Sequence, residues 1–528
     1  MKGLSVGPLS ARRALRLGLL GVIGVFVLSG CVGLPREPNR VPSFATEGYQ
    51  DTPLGRITAP VVPDDGRSAF RLLPFAFPAY ATRIEMSELA AKSLDVQYYY
   101  FPGDQSGKFF MRALRNAAER GVRVRLLIDD LYTVGEDDLL TSLAAFPNVE
   151  VRLFNPFPSF RGHLWTRFLS SIDEFGRVNH RMHNKMFIAD NAAAVVGGRN
   201  MADEYFMRAE ANNFVDIDTF VAGPLVRELS AIFDRYWNSE YAYPLASIVP
   251  EAASRAALQR RFDEYTIYTI APPPDQVTPD TLRYSTLPDE LVAGHLSGAV
   301  AAHAEAFADP LSKAAGANLK RIVGTVTDRV LELISGAKED VVLISPYFVP
   351  GERGLEMMKA ARERGVHQLV ITNSLASTDA PVVHGGYIRY RLAMLQDGVE
   401  IRELSPSFVR KRQRLGRFGS SFGALHAKLA IVDQRRFFMG SMNLDERSAF
   451  ENTELGLIVD SPELAGELLE RNDPRSSYTL RLTADGEHIE WVEDEDGLEI
   501  IHREEPEVGF WLKLEVFLLA PFISEQEL

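Results

Sequence analysis

The sequence predicts an α/β fold built from two tandem, similar domains, and a repeated motif is the main reason for that prediction. The stretch "HNKMFIADNAAAVVGGRN" (183–200) returns as "HAKLAIVDQRRFFMGSMN" (426–443). Counted from the histidine, both copies carry Lys at +2, Asp at +7, Gly at +14 and Asn at +17. His183 and His426 lie 243 residues apart, which indicates a long internal duplication.

The segments before each motif repeat as well. In both halves a strand-like run is followed by a segment with helical spacing and then by a second strand-like run. The helical segments end at Gly121 and Gly365, which lie 244 residues apart and can each adopt a left-handed cap. The β-branched runs that follow suit parallel strands covered on both faces. The matched segments are "LDVQYYYF" (94–101), "FMRALRNAAERG" (110–121) and "VRVRLLIDD" (122–130), then "EDVVLISPYFVP" (339–350), "GLEMMKAARERG" (354–365) and "VHQLVITNS" (366–374).

Within each motif an apolar strand is followed by a short turn and a second strand. The turns fall at Asp190–Asn191 and at Asp433–Gln434. A histidine and a lysine two residues apart on a strand point to the same face. The small residues before the asparagine let the next strand turn that side chain towards the same place. Each half is therefore expected to supply half of one pocket, at an interface with pseudo-twofold symmetry.

Composition and the N-terminus limit the class of protein. The chain has 528 residues, 46% of them hydrophobic, and a formal net charge of −14, which argues against non-specific nucleic-acid binding through a basic face. A basic start, an apolar run from Leu17 to Leu28 and the tetrad "LSGC" predict a signal peptide ending at a lipidated Cys31. A plain secretory signal with an incidental cysteine is the alternative. Val32 favours sorting to the outer membrane.

The rest of the chain is predicted to divide into five further parts. An apolar, aromatic stretch at 509–523 either lies in a membrane interface or packs on the domain core. An alanine-rich stretch at 296–318 is predicted to be helical. The boundaries are 1–31 for the signal peptide, 32–70 for a Pro-rich tether, 71–245 for the N-terminal domain, 246–320 for a linker or insertion, 321–475 for the C-terminal domain and 476–528 for an extension.

Two histidines, two lysines and two asparagines in one pocket suit the cleavage of a phosphodiester. A neutral imidazole can attack phosphorus while a second, protonated imidazole donates to the leaving alkoxide. Lysine charges and asparagine amides would hold the non-bridging oxygens. This chemistry needs no metal or other cofactor, and the sequence has no metal-ligand spacing. The candidate residues are His183, Lys185, Asn200, His426, Lys428 and Asn443.

Carboxylates are needed to orient the histidines. Asp218, in "FVDIDTFVAGP", and Glu454, in "RSAFENTELGLIV", are the candidates, because each lies in a strand-like run after a motif. A carboxylate on a solvent-facing strand position is the alternative for both. Asp190 and Asp433 complete the motifs and are predicted to be turn residues that support the site.

The two motifs resemble the phospholipase D signature H-x-K-x(4)-D-x(6)-G-[GS]-x-N. The resemblance implies two α/β/α domains with the active site at their interface, and a ping-pong mechanism with His183 as nucleophile and His426 as acid/base. Segments such as "NHRMHNK" (179–185), "SPYFVP" (345–350) and "GSMNLDERSAFENTELG" (440–456) look like the bacterial cardiolipin synthase C branch. That branch implies a phosphatidyltransferase joining two membrane phospholipids, with phosphatidylglycerol and phosphatidylethanolamine as expected substrates.

Several alternatives remain open on sequence alone. A phospholipase D would give water the role of acceptor and produce phosphatidic acid. A nuclease would be expected to carry a basic groove with interleaved aromatic residues. A catalytically inactive lipid-binding lipoprotein would be expected to lack a motif residue. Two weaker features are a basic stretch at 410–417 that could hold anionic headgroups, and His384 with Tyr387, which could line an acceptor site.

Overall fold

The computed structural model describes residues 33–272, 279–316, 323–406, 422–471, 476–495 and 497–519. The predicted signal peptide with Cys31, and the basic stretch at 410–417, lie outside these residues. Within the described ranges, no helix is long and apolar enough to cross a membrane.

Residues 33–272 form the N-terminal half, whose main sheet has the strand order β9-β4-β3-β2-β5-β6-β8-β1. The three strands β2, β3 and β4 are parallel and the other neighbours are antiparallel. The strands are β1 (Ser68–Leu73), β2 (Ser93–Tyr98), β3 (Arg123–Asp129), β4 (Val149–Phe154), β5 (Met186–Ala189), β6 (Ala193–Gly197), β7 (Asn212–Val215), β8 (Asp218–Ala222) and β9 (Ala242–Pro244). The helices are α1 (Pro53–Thr58), α2 (Ala76–Leu89), α3 (Gln105–Glu119), α4 (Asp137–Ala144), α5 (Leu164–Leu169), α6 (Phe175–Val178), α7 (Pro224–Trp237), α8 (Leu245–Ile248) and α9 (Arg255–Thr266).

The C-terminal half repeats this arrangement in the order β10-β17-β16-β15-β11-β12-β13-β18-β19-β20. Its strands are β10 (Val300–Ala308), β11 (Asp340–Ile344), β12 (His367–Asn373), β13 (Glu400–Leu404), β14 (Phe422–Leu425), β15 (Leu429–Val432), β16 (Arg436–Gly440), β17 (Leu455–Asp460), β18 (Ser477–Leu482), β19 (Ile489–Glu495) and β20 (Leu498–His502). Its helices are α11 (Val326–Ser335), α12 (Gly351–Glu363), α13 (Pro381–Gln396), α14 (Glu446–Phe450), α15 (Pro462–Glu470) and α16 (Phe510–Leu519). The helix before β10, α10 (Pro279–Ala293), packs against α2 in the core of the N-terminal half.

The prediction of a helix at 296–318 inside a linker is wrong, because this region contains β10. β10 pairs with β17 as β1 pairs with β8, and β1 and β10 also pair with each other. β10 is therefore the counterpart of β1 and joins the two sheets. Unsatisfied edges of both sheets take up its backbone groups, which outweighs the helical preference of its alanines. The C-terminal half thus includes residues that were assigned to the linker.

The predicted caps and turns of the duplication are confirmed. α3 and α12 are followed by Gly121 and Gly365, with φ of 97° and 85°. The residues of both predicted turns have positive φ, 56° and 55° at Asp190 and Asn191 and 51° and 49° at Asp433 and Gln434. Two successive residues with positive φ are typical of the tight hairpin turn that suits strand twist. The two halves also share an apolar core, with residues of β5 and β6 packed in one cluster with those of β15 and β16.

The prediction that residues 32–70 form a tether is wrong for its described part. The carbonyls of Val41 and Ser43 accept hydrogen bonds from Arg152 Nη2 and Arg125 Nη1, at 2.6 and 2.8 Å. These arginines are almost fully buried, so the segment supplies polar partners that the N-terminal half needs. The segment is part of the folded body, and β1 begins within it.

The C-terminal extension also belongs to the fold. β18 pairs with β13, so the sheet continues past residue 475. Helix α16 packs against α13 and buries Val516, whereas Phe510 and Trp511 are 70% and 78% exposed. The helix therefore packs on its domain and leaves aromatic side chains at the surface.

Candidate active site

A pocket of about 370 Å³ lies between the two halves and is lined by His183, Asn200, His426 and Asn443. Its wall contains an unusual number of aromatic side chains, from both halves. These are Tyr99, Tyr100, Tyr132, Tyr205, Phe214 and Tyr347. The duplication thus brings the two motifs to one place, as predicted.

Strand pairing across the interface positions both histidines. β7 and β14 form a two-stranded parallel sheet between the halves, and His426 N donates to Val215 O at 2.8 Å. On the other side of the pseudo-twofold axis, Met182 and Thr453 form a parallel bridge, and His183 N donates to Thr453 O at 2.8 Å. Each histidine is therefore fixed to the half that does not contain it.

The carboxylates follow from this cross-pairing. Glu454, next to Thr453, places Oε2 at 3.0 Å from His183 Nδ1. Asp216, next to Val215, places Oδ2 at 2.7 Å from His426 Nδ1. Each histidine thus has a buried carboxylate from the opposite half, which fixes its orientation and favours the hydrogen on Nδ1.

The prediction that Asp218 orients a histidine is wrong, because that position is taken by Asp216. Asp218 Oδ2 lies 3.0 Å from Arg83 Nη2 and 3.3 Å from Arg199 Nη1, all almost fully buried. Arg199 also donates to Asp216 O. Asp218 therefore pairs with two buried arginines, and through Arg199 it supports the backbone of the orienting residue.

Small residues at one motif position fit the two carboxylates. A Cβ on Gly198 would lie 2.3 Å from Asp216 Oδ1, so the close approach of that carboxylate requires glycine. Ser441 has the same position in the second motif, and its hydroxyl donates to Glu454 Oε2. The "GG" and "GS" of the two motifs therefore reflect two ways of holding an orienting carboxylate.

The backbone of Glu454 is held by a buried ion pair between Asp309 and Lys313, two residues of the predicted linker region. Glu454 N donates to Asp309 Oδ2 at 2.9 Å, and Asp309 N donates to Glu454 O at 3.0 Å. Lys313 Nζ donates to Asp309 Oδ2 at 2.7 Å, with both side chains buried. No local pattern marks these two residues, since their role depends on where β10 ends.

The motif lysines are buried beside the histidines. Lys185 Nζ donates to His183 O at 2.7 Å, and Lys428 Nζ donates to His426 O. Burial lowers the pKa of Lys185 to about 7 and that of Lys428 to about 8. Two buried lysines beside the pocket histidines, one from each motif, favour a bound anion.

The two asparagines differ. Asn200 Oδ1 accepts from Tyr100 N at 3.1 Å, and Asn200 Nδ2 donates to Tyr205 OH at 2.8 Å. Asn443 Oδ1 has no hydrogen-bond partner among the described residues. The two asparagines therefore depart from the pseudo-twofold symmetry. Both polar atoms of the Asn200 amide form hydrogen bonds with described residues, whereas Asn443 Oδ1 forms none with them.

Burial favours the neutral form of both histidines in the free protein. Burial lowers the pKa of His183 to about 4, although Glu454 opposes the fall, and the charge of Lys185 adds to it. Burial and Lys428 lower the pKa of His426 to about 3. A negatively charged phosphate between the lysines would offset these effects and favour an imidazolium. The site is thus arranged to gain protons when an anion binds.

The motif aspartates lie outside the pocket and have the structural role predicted for turn residues. Asp190 accepts from the backbone amides of Ala91, Lys92 and Ser93. Asp433 accepts in the same way from Lys338, Glu339 and Asp340, which lowers its pKa against the effect of burial. Each aspartate fixes the start of the first parallel strand of its half.

The prediction that His384 and Tyr387 line an acceptor site is wrong. Tyr387 OH donates to Glu403 Oε1 at 2.9 Å inside the C-terminal half, and His384 is buried beside Tyr387. Their neighbour Val383 lines the pocket instead. Among the described residues, no group of three or more His, Cys, Asp or Glu side chains could hold a metal ion.

The geometry supports phosphodiester chemistry by two histidines. Tyr99 packs edge-on against His183, with ring centroids 4.8 Å apart, and Tyr205 does the same against His426 at 5.0 Å. Each Nδ1 is bound by a carboxylate, so each Nε2 presents its lone pair towards the pocket. One imidazole can attack a phosphorus atom while the other exchanges a proton with an alcohol.

Comparisons with known proteins agree with this site. A family model described as cardiolipin synthase, PLD-like domain, matches residues 83–237 and 330–472. The chain is 37% identical over 484 residues to cardiolipin synthase C of Escherichia coli (strain K12), covering 88% of this chain and 98% of that protein. It is 23% identical over 416 residues to cardiolipin synthase of Staphylococcus aureus (strain Mu50), covering 78% and 68%.

A solved structure shows the same fold. The crystal structure of phosphatidylserine synthase from Haemophilus influenzae Rd KW20 superposes with a TM-score of 0.53 at 15% identity, covering 81% of this chain and 92% of that one. The duplicated motif, the shared pocket and these matches lead to one assignment. The chain belongs to the phospholipase D superfamily, in its cardiolipin synthase-like branch.

Proposed function

We propose that this phosphatidyltransferase moves a phosphatidyl group from one phospholipid to an alcohol of a second, in the manner of a cardiolipin synthase. One observation carries the proposal: the histidines and asparagines of both motifs line one pocket, each motif lysine is buried beside its histidine, and each histidine is held by a carboxylate from the opposite half. The similarity to cardiolipin synthase C, which extends over 98% of that protein, supports the choice of reaction.

In the first half-reaction, His183 Nε2 attacks the phosphorus of the donor lipid. The bond between phosphorus and the headgroup oxygen breaks, and the protonated His426 gives its Nε2 proton to the departing alkoxide. Lys185 and Lys428 neutralise charge on the non-bridging oxygens as the transition state forms. The products are a phosphatidyl-His183 and a free headgroup alcohol.

In the second half-reaction, neutral His426 takes the proton of the acceptor hydroxyl. The acceptor oxygen attacks phosphorus, the bond to His183 Nε2 breaks, and both histidines return to their starting states. Water in place of the acceptor would yield phosphatidic acid. The proposed substrates are phosphatidylglycerol, which has free hydroxyls, and phosphatidylethanolamine as a phosphatidyl donor.

We also propose that the protein works at a membrane surface, as a lipoprotein facing the periplasm and anchored through Cys31. The surface next to the pocket supports membrane contact. The segment 155–181, between β4 and His183, carries a group of exposed apolar side chains: Phe160, Leu164, Trp165, Leu169 and Phe175. Such groups suit the interface between lipid headgroups and acyl chains.

Side-chain contacts join this segment to the body of the protein and to a residue of the pocket wall. Arg161 forms bidentate contacts to Asp130, with 2.7 Å between each pair of atoms. Arg447, which lines the pocket, donates to Asn179 O at 3.3 Å. Contact of the apolar segment with a bilayer would therefore bring lipid to the rim of the active site.

The test is incubation of the purified protein with phosphatidylglycerol and phosphatidylethanolamine in mixed micelles, with mass spectrometry of all lipid products. His183→Ala and His426→Ala are the matched controls. The proposal predicts cardiolipin from the unaltered protein and from neither variant. Phosphatidic acid as sole product would make the protein a hydrolase, and no lipid product would contradict the proposal.

A further inference from the structure

Tyr205 occupies the place where an acceptor hydroxyl must bind. Its hydroxyl lies 3.3 Å from His426 Nε2, the nitrogen that takes the acceptor's proton in the proposed second half-reaction. Asn200 Nδ2 donates to the same hydroxyl at 2.8 Å. Because the phenol oxygen accepts from Asn200, its hydrogen is directed to His426 Nε2, whose Nδ1 is bound by Asp216. The basic lone pair of His426 is thus capped.

The environment of Tyr205 closes this side of the pocket. Its ring lies edge-on to His426, with centroids 5.0 Å apart, and Phe214 contacts both rings at 4.8 and 4.9 Å. Tyr205 is almost fully buried. A water molecule at His426 Nε2 would therefore have to displace a packed aromatic side chain.

The other half differs at the matching position. Tyr205 lies 22 residues after His183, and the residue 22 positions after His426 is Ser448, which also lines the pocket. Ser448 Oγ accepts from Asn443 N at 3.2 Å. Among the described residues, no hydrogen bond to His183 Nε2 is found. Nε2 of His183, the proposed nucleophile, therefore has no hydrogen-bond partner among the described residues, whereas Nε2 of His426, the proposed base, accepts from Tyr205.

We propose that Tyr205 determines acceptor specificity: its side chain keeps water away from His426 Nε2 and yields that position only to a bound lipid alcohol. The proposal rests on the proposed function and adds to it the reason why transfer prevails over hydrolysis. When the acceptor hydroxyl replaces the phenol, its hydrogen points to Nε2 as the phenol hydrogen did. The proton then passes to His426, the new P–O bond forms and the bond to His183 breaks.

The experiment measures the ratio of hydrolysis product to transfer product for the wild type, Tyr205→Ser and Tyr205→Phe. The serine variant copies the other half and leaves space for water between Asn200 and His426. It is expected to raise the ratio roughly five- to tenfold, because a water molecule admitted beside His426 Nε2 gains about one hydrogen bond there. The phenylalanine variant keeps the ring beside Nε2, so its ratio should stay within about twofold of wild type.

Tyr132→Ser is the matched control, since Tyr132 lines the same pocket but packs against Tyr99, the tyrosine beside His183. The Tyr132→Ser variant should keep the wild-type ratio of hydrolysis product to transfer product, even if its overall rate changes. This ratio does not depend on the fraction of protein that is folded. An unchanged ratio in Tyr205→Ser, or an equal rise in Tyr132→Ser, would overturn the proposal. The ratio can also be measured with a soluble aryl phosphodiester and glycerol as acceptor. If the protein does not act on lipids, the effect of Tyr205 on the ratio can still be tested with these soluble substrates. A failure of the proposed lipid reaction is therefore distinguishable from a failure of the proposal for Tyr205.

Discussion

Replacing Asp216 by asparagine is expected to reduce activity far more than stability. Asp216 Oδ2 lies 2.7 Å from His426 Nδ1, and Asp216 Oδ1 lies 2.7 Å from Ile217 N. An asparagine whose oxygen remains on Ile217 N turns its NH₂ group towards Nδ1. The imidazole then favours the tautomer with hydrogen on Nε2, which removes the lone pair that accepts the acceptor's proton.

The size of the effect follows from the hydrogen bond that is lost. A buried hydrogen bond to a charged group contributes about 1.5–3 kcal/mol, which corresponds to roughly 10- to 150-fold in kcat. The wrong tautomer adds to this loss. Asp218→Asn is the matched comparison, because Asp218 is two residues away and equally buried but contacts Arg83 and Arg199. It should lower the free energy of unfolding by about 3–5 kcal/mol, because two buried arginines lose their partner.

The assay is kcat on a soluble aryl phosphodiester, measured beside thermal unfolding of the same samples. Asp216→Asn should lose activity with a small change in Tm, and Asp218→Asn should lose several degrees of Tm while its folded fraction keeps a larger share of activity. Nearly full kcat in Asp216→Asn, or an inactive Asp218→Asn at unchanged Tm, would contradict these two roles.

Three further predictions follow from the same contacts. Because burial lowers the pKa of Lys185 to about 7 and that of Lys428 to about 8, part of their charge is absent at higher pH. Affinity for dimethyl phosphate, whose own charge is constant, should therefore fall as pH rises through this range. Calorimetry in two buffers should show proton uptake near pH 8, and pH-independent binding would contradict this prediction. Lys313→Met leaves Asp309 buried without its cation, so it should lower the free energy of unfolding in denaturant titrations by about 3–5 kcal/mol. An unchanged midpoint of denaturant unfolding would contradict a stabilising role for the Lys313–Asp309 ion pair. Trp165→Ser removes a side chain that is 66% exposed, so it should weaken binding to phospholipid vesicles roughly tenfold with unchanged Tm, and equal vesicle binding would exclude this segment from the membrane contact.

The duplicated fold could be predicted because its signals are local. The order of strands and helices, the glycines after α3 and α12, and the hairpin turns all depend on neighbours in sequence. The motif residues could be found for the same reason, since two copies with identical spacing define one another. The histidine-orienting role of Glu454 could also be predicted, because this carboxylate lies in a strand-like run after its motif.

The choice between Asp216 and Asp218 could not be made from sequence. The two residues are two positions apart, so a continuous strand over this stretch would place both on one face. What decides between them is the register of β7 on β14, which sets Val215 opposite the amide of His426. That register belongs to the interface between the halves and leaves no local pattern. Tyr205 was missed for a related reason, because it acts on the histidine of the other half.

The nature of β10 depends on long-range pairing as well. Its sequence "VAAHAEAFA" is rich in alanine, which favours a helix in isolation. Two open sheet edges accept its backbone groups, β1 at residues 300–302 and β17 at residues 303–308. The predicted tether differs from the structure for a similar reason. Its prolines indicate an extended chain, but its hydrogen bonds to the buried Arg125 and Arg152 depend on residues that are distant in sequence.

The central claim is that His183 is the nucleophile and His426 the acid/base. The most direct test is rapid acid-free quenching of the enzyme with donor phospholipid and no acceptor, followed by proteolysis and mass spectrometry of the histidine peptides. The account predicts a phosphatidyl adduct on the peptide that contains His183 and none on the peptide that contains His426. An adduct on His426, or turnover without any adduct on either histidine, would contradict it.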